Sequence, residues 1–570
     1  MIEKVCGKLD DLEHPKKAIA VFLLTWGALA VLQAFFTELA HDEAYYWLYS
    51  RKLDWGYFDH PPMIALIIRV GYSLFQSELG VRLIPLLLGT GTIYIIYLLV
   101  KDELKSISTL FLILLSIIIL KSHVGGFLAI PDVPVIFFAA LFFYLYKLYV
   151  SNDNILSALL LGLIGAAMLY SKYHGVLVLF FTLLSNINLF KRKTFYAIPA
   201  IIVIAMLPHL FWQIENGFPT FEYHLVSRSS DYRIVFTLDY LLGQLLIAGP
   251  LVGAIIYIFA VKRNKEEGLF YRAMRFNFYG FFLFFLLMSF KGRVEAHWTA
   301  IGFIPAIVLS VNNIYENKKA LLWMRRLFLP TIIIFLLIRL SLVVQIVPPK
   351  YNIGSEFHNW DIWAQEIKQE ANGSPVVFGG TFQRPSKYAF YTGGEFAHSL
   401  NYLWYRKNQF DLWGYSDSIK GKTVALFRAA QSTDTLCTVV NECYAVKHID
   451  DFKLYYDIPI EFEKNKVTAQ PSDSVNIAFK VINSTNDTLE MNKVDTMSPR
   501  FVMSIYNGTR FISIQKLEYV DTLIAPHDSI GFKQVFKVPV KSGHNQCYIS
   551  IVNDGLYPGF NGKPFELIIE

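Results

Sequence analysis

Apolar residues run in long unbroken stretches as far as about Pro348, and beyond it they alternate with polar ones. Eleven stretches approach the roughly 20 residues that a helix needs to cross a hydrocarbon core of about 30 Å. They cover approximately 17–37, 81–100, 106–121, 132–150, 154–171, 174–190, 195–213, 239–261, 275–290, 297–313 and 326–346. The shortest are marginal, so two of them read equally as a re-entrant pair. The connection 38–80 is the longest in this half. Within it, Glu43–Lys52 mixes Tyr46, Trp47 and Tyr49 with polar residues, and Met63–Phe75 is apolar but too short to span. Both predict helices lying in the membrane interface.

Past Pro348, strand-like runs such as Val376-Val377-Phe378 and Thr423–Phe427 mix with a helical pattern over Arg384–Tyr391, which predicts a small α/β domain. From about residue 459 the period is two, in Val475–Val481, Phe501–Ile505 and Phe532–Phe536, with polar turns such as Asn507-Gly508-Thr509 between the runs. That pattern predicts a β-sandwich. The expected fold is mainly α: a polytopic membrane protein of about 11 transmembrane helices plus interfacial helices over 1–347, then an α/β domain over 348–458 and the β-sandwich over 459–570.

Composition excludes a wholly soluble protein. Hydrophobic residues make up 54% of the 570 and charged residues 17%, against roughly a quarter charged in an ordinary soluble domain. The net charge of +6 contains no long run of one sign, so nothing suggests a nucleic-acid partner. Placement of the bases is more telling. With the N-terminus inside, Lys16, Lys17, Lys191, Arg192, Lys193, Lys318, Lys319, Arg325 and Arg326 fall in cytoplasmic connections. An odd number of spans then puts everything after Pro348 outside. Ala28-Leu29-Ala30 has the look of a signal-peptidase site, but the apolar run continues through Phe36, which favours an uncleaved first helix. Of the four cysteines, Cys437 and Cys443 are the candidates for a single disulfide.

This topology gathers ionisable residues on the outer face: Asp42, Glu43, Asp59 and His60 in the first loop, then Asp132, Lys172 and Tyr173, then Arg293 and His297. Each alone reads as a solvated loop residue or an interfacial anchor, whereas together they point to a site. Asp42 lies at the N-terminal end of an interfacial helix, where the helix dipole favours its ionised form; an N-cap is the alternative. Arg339, inside the last apolar stretch, is a functional candidate as an intramembrane charge, with pairing inside the bundle as the alternative. The loop 214–238, with Glu215, Arg228 and Arg233, reads as a lid over the site or as a plain connection.

Three runs in the first 83 residues carry a resemblance: Asp42-Glu43-Ala44-Tyr45-Tyr46, Trp55-Gly56-Tyr57-Phe58-Asp59-His60-Pro61-Pro62-Met63 and Glu78-Leu79-Gly80-Val81-Arg82-Leu83. Their order resembles the amino-terminal signature of polyprenyl-phosphate-sugar-dependent glycosyltransferases of the C-type fold. It is most similar to glycosyltransferase family 39, the protein O-mannosyltransferases and the lipid A aminoarabinose transferase. Ile130-Pro131-Asp132-Val133-Pro134, Ser171-Lys172-Tyr173 and His297-Trp298 match later positions of that family, so the resemblance covers most of residues 1–346.

The resemblance implies a sugar donor on a long isoprenoid phosphate and an acceptor hydroxyl that attacks the anomeric carbon with inversion. It implies Asp42 as general base, with Glu43 beside it as a second catalytic carboxylate. A phosphate leaving group needs cations and fixed donors more than a strong acid. His60, Arg82, Lys172, Arg293 and His297 are the candidate phosphate ligands. An alternative for Arg82 is a cation marking the start of a span. Lipid A relatives often carry lysine where this chain has His60, so phosphate binding here is either pH-sensitive or carried mostly by Lys172. Asp59, Asp132 and Tyr173 are candidates to orient the acceptor. Asp42, Glu43 and Asp132 leave a divalent cation open, although most relatives on this branch are not thought to need one.

The expected activity is transfer of one sugar to a lipid, protein or glycan acceptor on the extracytoplasmic side of a bacterial inner membrane. Two competitors remain. A lipid-linked sugar flippase or transporter predicts charges near mid-membrane and two similar halves, neither of which is evident. A membrane-anchored binding protein places its activity in the outer β domain, which holds no assignable motif.

Overall fold

The computed structural model describes residues 15–100, 127–223, 232–249, 251–262, 268–346, 348, 354–403, 405–414, 418–430, 435–491, 498–508, 510–553 and 556–570. The chain forms two compact units, Met1–Trp360 and Asp361–Glu570. The first is helical. Its helices are α1 (Pro15–Phe36), α2 (His41–Arg51), α3 (Met63–Leu74), α4 (Glu78–Leu99), α5 (Asp132–Ser151), α6 (Ile155–Ser171) and α7 (Gly175–Ser185). They continue with α8 (Ala197–Glu215), α9 (Ile234–Ile247), α10 (Gly253–Val261), α11 (Leu269–Met288), α12 (Phe303–Tyr315) and α13 (Lys318–Val343).

Among the described residues six stretches are long and apolar enough to cross a membrane: Ile19–Phe36, Glu78–Leu99, Asp132–Ser151, Lys193–Glu215, Ala296–Tyr315 and Lys318–Val343. The eleven expected spans are therefore not all full-length helices. Helices α6, α7 and α9 are apolar but shorter. The stretch 239–261 is split into α9 and α10 around Gly249, whose φ of +99° no helix can accommodate. The expected span 106–121 lies outside the described residues, as do Arg228 and Cys6. Helices α1, α8 and α13 leave large apolar side chains exposed, including Leu24, Ile204 and Leu337. Such a surface suits lipid rather than water.

The two short helices of the first loop form where the pattern placed them. Helix α3 buries Ile64, Ile67 and Ile68 and exposes Leu66 and Val70, as an amphipathic helix does. Helix α2 departs from expectation: Glu43 to Ser50 are all buried, so it is enclosed rather than lying on a surface. Its tyrosines are the cause. They carry large contact areas around the whole helix, with Tyr45 against Tyr49 at 4.7 Å and Tyr49 stacked on Tyr57 at 4.1 Å.

The second unit begins along the helix Trp360–Ala371 and is strand-rich towards its end. A five-stranded sheet has the order β2-β1-β3-β5-β4, from β1 (Val376–Gly379), β2 (His398–Leu400), β3 (Val424–Ala429), β4 (Leu436–Cys437) and β5 (Cys443–Ile449). Strand β1 runs parallel to both neighbours and β5 antiparallel to both of its own. Cys437 and Cys443 face each other across β4 and β5 and form the expected disulfide. Further on, β7 (Ser474–Ile482) lies between β9 (Ser529–Lys537) and β6 (Ile460–Phe462). A separate five-stranded sheet contains β8 (Arg500–Asn507) and β10 (Gly543–Val552). Ile477, Phe479 and Val481 of β7 share one core with Phe501, Met503 and Ile505 of β8, and Phe479 meets Phe501 edge-on at 5.0 Å. The period-two runs therefore bury their apolar faces together.

Two buried groups in this unit oppose each other in their pH response. Burial pushes the Asp411 carboxyl up to about 6, and pushes the His398 imidazole down to about 4. Folded Asp411 keeps its proton to a higher pH than the unfolded chain does. Its contribution to stability is present below the ordinary carboxylate pKa and is lost as pH rises towards 6. His398 is refused its proton by the folded state, so its contribution falls as pH drops from about 6.5 to 4. In the wild-type chain the two slopes offset each other. His398→Phe is expected to leave the Asp411 slope alone, so that the unfolding temperature of this unit rises on acidification from pH 6 to about 4. A scan of thermal unfolding against pH checks it; a flat profile in the variant refutes it.

Candidate active site

Adjacent carboxylates at the start of α2 have opposite surroundings. Asp42 is exposed, whereas Glu43 is completely buried. Consecutive helical residues point about 100° apart, so one faces out as the other faces in. Glu43 accepts from the Ala40 amide at 2.9 Å, the Ala129 amide at 2.7 Å, and Arg82 Nε and Nη2 at 2.8 and 2.6 Å. Arg82 is equally buried, and its other bonds go to the carbonyls of Ala34, Thr37 and Glu38. With those five bonds, all five N–H donors of the guanidinium are occupied. Arg82 thus closes the C-terminal end of α1 while Glu43 opens α2.

The segment after α13 holds the same corner. Glu38 accepts from the amides of Asn359 and Trp360, each at 2.8 Å, and the His41 amide donates to Glu356 Oε1 at 2.6 Å.

Opposite α2, Lys172 Nζ donates to Asp132 Oδ1 at 2.7 Å, with both side chains 8% exposed. Asp132 begins α5 directly after Pro131, and Lys172 immediately follows α6, so two helix ends deliver the pair. The charges that act on Asp132 are those of Lys172 and His297. Tyr46 shows how the remaining groups converge. Burial raises its phenol well above the ordinary range, and the charges of Asp42, Asp59 and Asp132 raise it further. The three carboxylates are therefore near enough to one tyrosine for their charges to act on it. The His60 ring meets Tyr46 edge-on at 5.5 Å, and Tyr49 donates to Asp59 Oδ2 at 3.4 Å.

Two of the predicted residues lie differently. Arg293 is largely exposed and pairs with Glu295 at 3.5 Å. Tyr173 belongs to a directed chain of hydrogen bonds. A carbonyl can only accept, so His209 Nδ1–H donates to the Trp55 carbonyl at 2.6 Å, leaving Nε2 to accept from the Tyr173 hydroxyl at 2.7 Å. Gln213 Nε2 donates to Tyr173 at 3.1 Å and to Thr220 at 2.8 Å, and Thr220 donates to the Tyr57 carbonyl at 3.2 Å. This chain pins the loop that presents Asp59 and His60. Gly56 lets the loop lie on Trp212, since a Cβ there would sit 2.3 Å from the indole. The sequence reading passed over His209, Gln213 and Thr220. His209 carried a usable signal as an ionisable residue inside the apolar stretch 195–213.

Glu43, one of the three carboxylates considered for a divalent cation, is committed to Arg82 and two amides. Among the described residues no group of three or more His, Cys, Asp or Glu side chains is arranged to hold a metal ion.

The fold is that of ArnT from Cupriavidus metallidurans, with a TM-score of 0.54, 12% identity, and coverage of 75% of this chain and 98% of ArnT in the apo state. For ArnT bound to undecaprenyl phosphate the TM-score is 0.53 at 13% identity, covering 76% and 98%. Residues 59–212 match the family model described as dolichyl-phosphate-mannose-protein mannosyltransferase. Among curated proteins, the lipid A galacturonosyltransferase RgtD of Rhizobium johnstonii is 24% identical over 324 residues. That alignment takes in 53% of this chain and 66% of the relative's length. The family model and the curated relative agree with the resemblance drawn from the sequence, the model beginning at Asp59 after the Asp42–Tyr46 run, and the solved structures share the fold.

Proposed function

We propose that this chain is an integral-membrane inverting glycosyltransferase, moving one sugar from a polyprenyl-phosphate carrier to an acceptor hydroxyl on the extracytoplasmic side. The observation that carries this reading is that the charges of an exposed Asp42, of Asp59 and of Asp132 all act on Tyr46, whose ring meets His60, while Asp132 is held by Lys172 and feels His297. Inversion requires the base and the leaving group on opposite faces of the sugar, which a single base carboxylate set apart from the phosphate-binding cations provides.

Asp42 takes the proton of the attacking hydroxyl. Lys172, with His60 and His297, neutralises the charge that collects on the departing phosphate, so no strong acid is needed. Asp132 holds Lys172 in place, and Asp59 is set beside the acceptor by Tyr49. Glu43 and Arg82, whose hydrogen bonds are used up within the protein, position Asp42 rather than touch substrate. Two likenesses support a lipid carrier and a lipid acceptor: the fold of a protein solved with undecaprenyl phosphate and a relative named for lipid A. The positive-inside pattern supports the outer placement of the site.

Purified protein incubated with radiolabelled polyprenyl-phosphate sugars and candidate lipid acceptors is expected to give a labelled lipid with inverted anomeric configuration. A retained configuration, or transfer only from nucleotide-linked sugars, overturns the reading.

A further inference from the structure

Arg339 is an intramembrane charge that the catalytic reading leaves unused. It lies in the last full turn of α13 and is only 9% exposed, with its guanidinium carbon 4.9 Å from the Phe335 ring, 5.2 Å from Trp26 and 5.3 Å from Phe127. Three aromatic faces thus enclose one cation. Among the described residues no carboxylate pairs with it, and its buried Nη2 has no hydrogen-bond partner. The buried Nε1 of Trp26, in the same cage, has none either.

Two orphan donors in one desolvated place are an arrangement that folding by itself does not favour, because each forgoes its bonds to water. The contrast with Arg82 is direct. Phe127 has the Arg82 guanidinium 5.1 Å from its ring centre, yet Arg82 has Glu43 and three carbonyls to satisfy it. Among the described residues the buried Nη2 of Arg339 has no such acceptor.

We propose that Arg339 and Trp26 form a subsite for the oxyanion of a phosphorylated lipid. A phosphate carries several oxygens, so it can accept from the Arg339 Nη2 and the Trp26 Nε1 donors, and its charge offsets that of the guanidinium. The surroundings favour a lipid over a free anion. Phe35 and Phe36 on α1 and Leu337 and Leu340 on α13 are exposed, an apolar surface on the same two helices for acyl or isoprenoid chains. The position also suits the site. Gln33 donates to the Arg339 carbonyl at 3.3 Å, one turn before Thr37, whose carbonyl is bound by Arg82. The subsite therefore adjoins the corner that sets Asp42, but it is distinct from the Lys172–Asp132 pair.

The test reads binding, so it stands apart from whether the chain transfers sugar. Full-length protein in an uncharged maltoside detergent is titrated with phosphatidate, with diacylglycerol of the same chains, and with inorganic phosphate. Native mass spectrometry counts bound molecules, and thermal unfolding reports affinity. The wild type is expected to retain one more phosphatidate than Arg339→Gln, whose apparent affinity at this subsite falls by at least about tenfold, the loss of one charge-assisted bond. Trp26→Phe keeps the ring and is expected to show a smaller loss, and Arg339→Lys to fall between Gln and wild type. Saturation by inorganic phosphate, lost in Arg339→Gln, assigns the subsite to free phosphate and upholds the oxyanion chemistry. Equal binding of diacylglycerol and phosphatidate, or wild-type phosphatidate binding by Arg339→Gln, overturns the proposal. In lipid-free detergent Arg339→Gln is expected to unfold no earlier than wild type, because it removes an uncompensated charge. A clear drop in unfolding temperature shows instead that the guanidinium has a protein partner, and also overturns it.

Discussion

Asp42→Asn is expected to leave a monodisperse protein with a wild-type unfolding temperature and to cut sugar transfer by about 10²–10⁴-fold, the range a positioned general base supplies. The exposed carboxylate explains both halves of that expectation. Asp42 contributes little buried area, so an amide of the same shape costs the fold almost nothing. Asparagine cannot accept a proton at neutral pH, so the chemical step loses its base while donor and acceptor still bind. The loss should therefore appear in kcat and leave KM for the lipid donor nearly unchanged. Initial rates against donor concentration decide it. A variant retaining more than about a tenth of wild-type turnover removes Asp42 from the base position.

Glu43→Gln, one residue further on, is expected to fail in the opposite way. Removing one partner of a buried ion pair leaves an uncompensated charge at a cost of about 3–5 kcal/mol. Here that charge is Arg82, with no exposure to water. The variant should unfold at a much lower temperature and lose transfer because the corner carrying Asp42 is no longer held. A second variant separates this from a simple ion-pair effect. Replacing both residues, Glu43→Leu with Arg82→Met, removes the stranded charge. It leaves the carbonyls of Ala34, Thr37 and Glu38 and the amides of Ala40 and Ala129 without their partners. Each such group costs about 1–3 kcal/mol when buried, so the double variant is expected to remain well below wild type. Thermal unfolding of the three proteins, read beside transfer rates, checks both statements. A Glu43→Gln protein as stable and active as wild type would refute the positioning role.

The comparison of Asp42 with Glu43 also shows how far a linear reading reaches. Their order, with Asp59-His60-Pro61-Pro62 and Arg82, was enough to draw the family resemblance, because such motifs are local in the chain. It was not enough to separate the roles of neighbouring acids. Arg82 was expected at a phosphate and is found closing α1, since its partner stands 39 residues away. Lys172 and Asp132 were each singled out, but their pairing across 40 residues was not legible. Neither was the bond from His209 to Trp55, across 154 residues. In the helical unit hydropathy registers the run 239–261 without registering the turn at Gly249 that divides it.

By itself the sequence determined that this is a membrane protein with a strand-rich end, where its apolar stretches and period-two runs lie, and which of its cysteines pair. These follow from short-range properties: the apolar length that suits a hydrocarbon core, the two-residue repeat of a strand, and the proximity of Cys437 to Cys443. Tertiary structure alone decided that Asp42 faces out and Glu43 in, that Arg82 is spent on the protein, and that Arg339 is caged with no acceptor for its buried Nη2 among the described residues. Those outcomes depend on which distant segments meet. A charge in a low-dielectric interior is governed by its nearest neighbours in space, and the chain order does not name them.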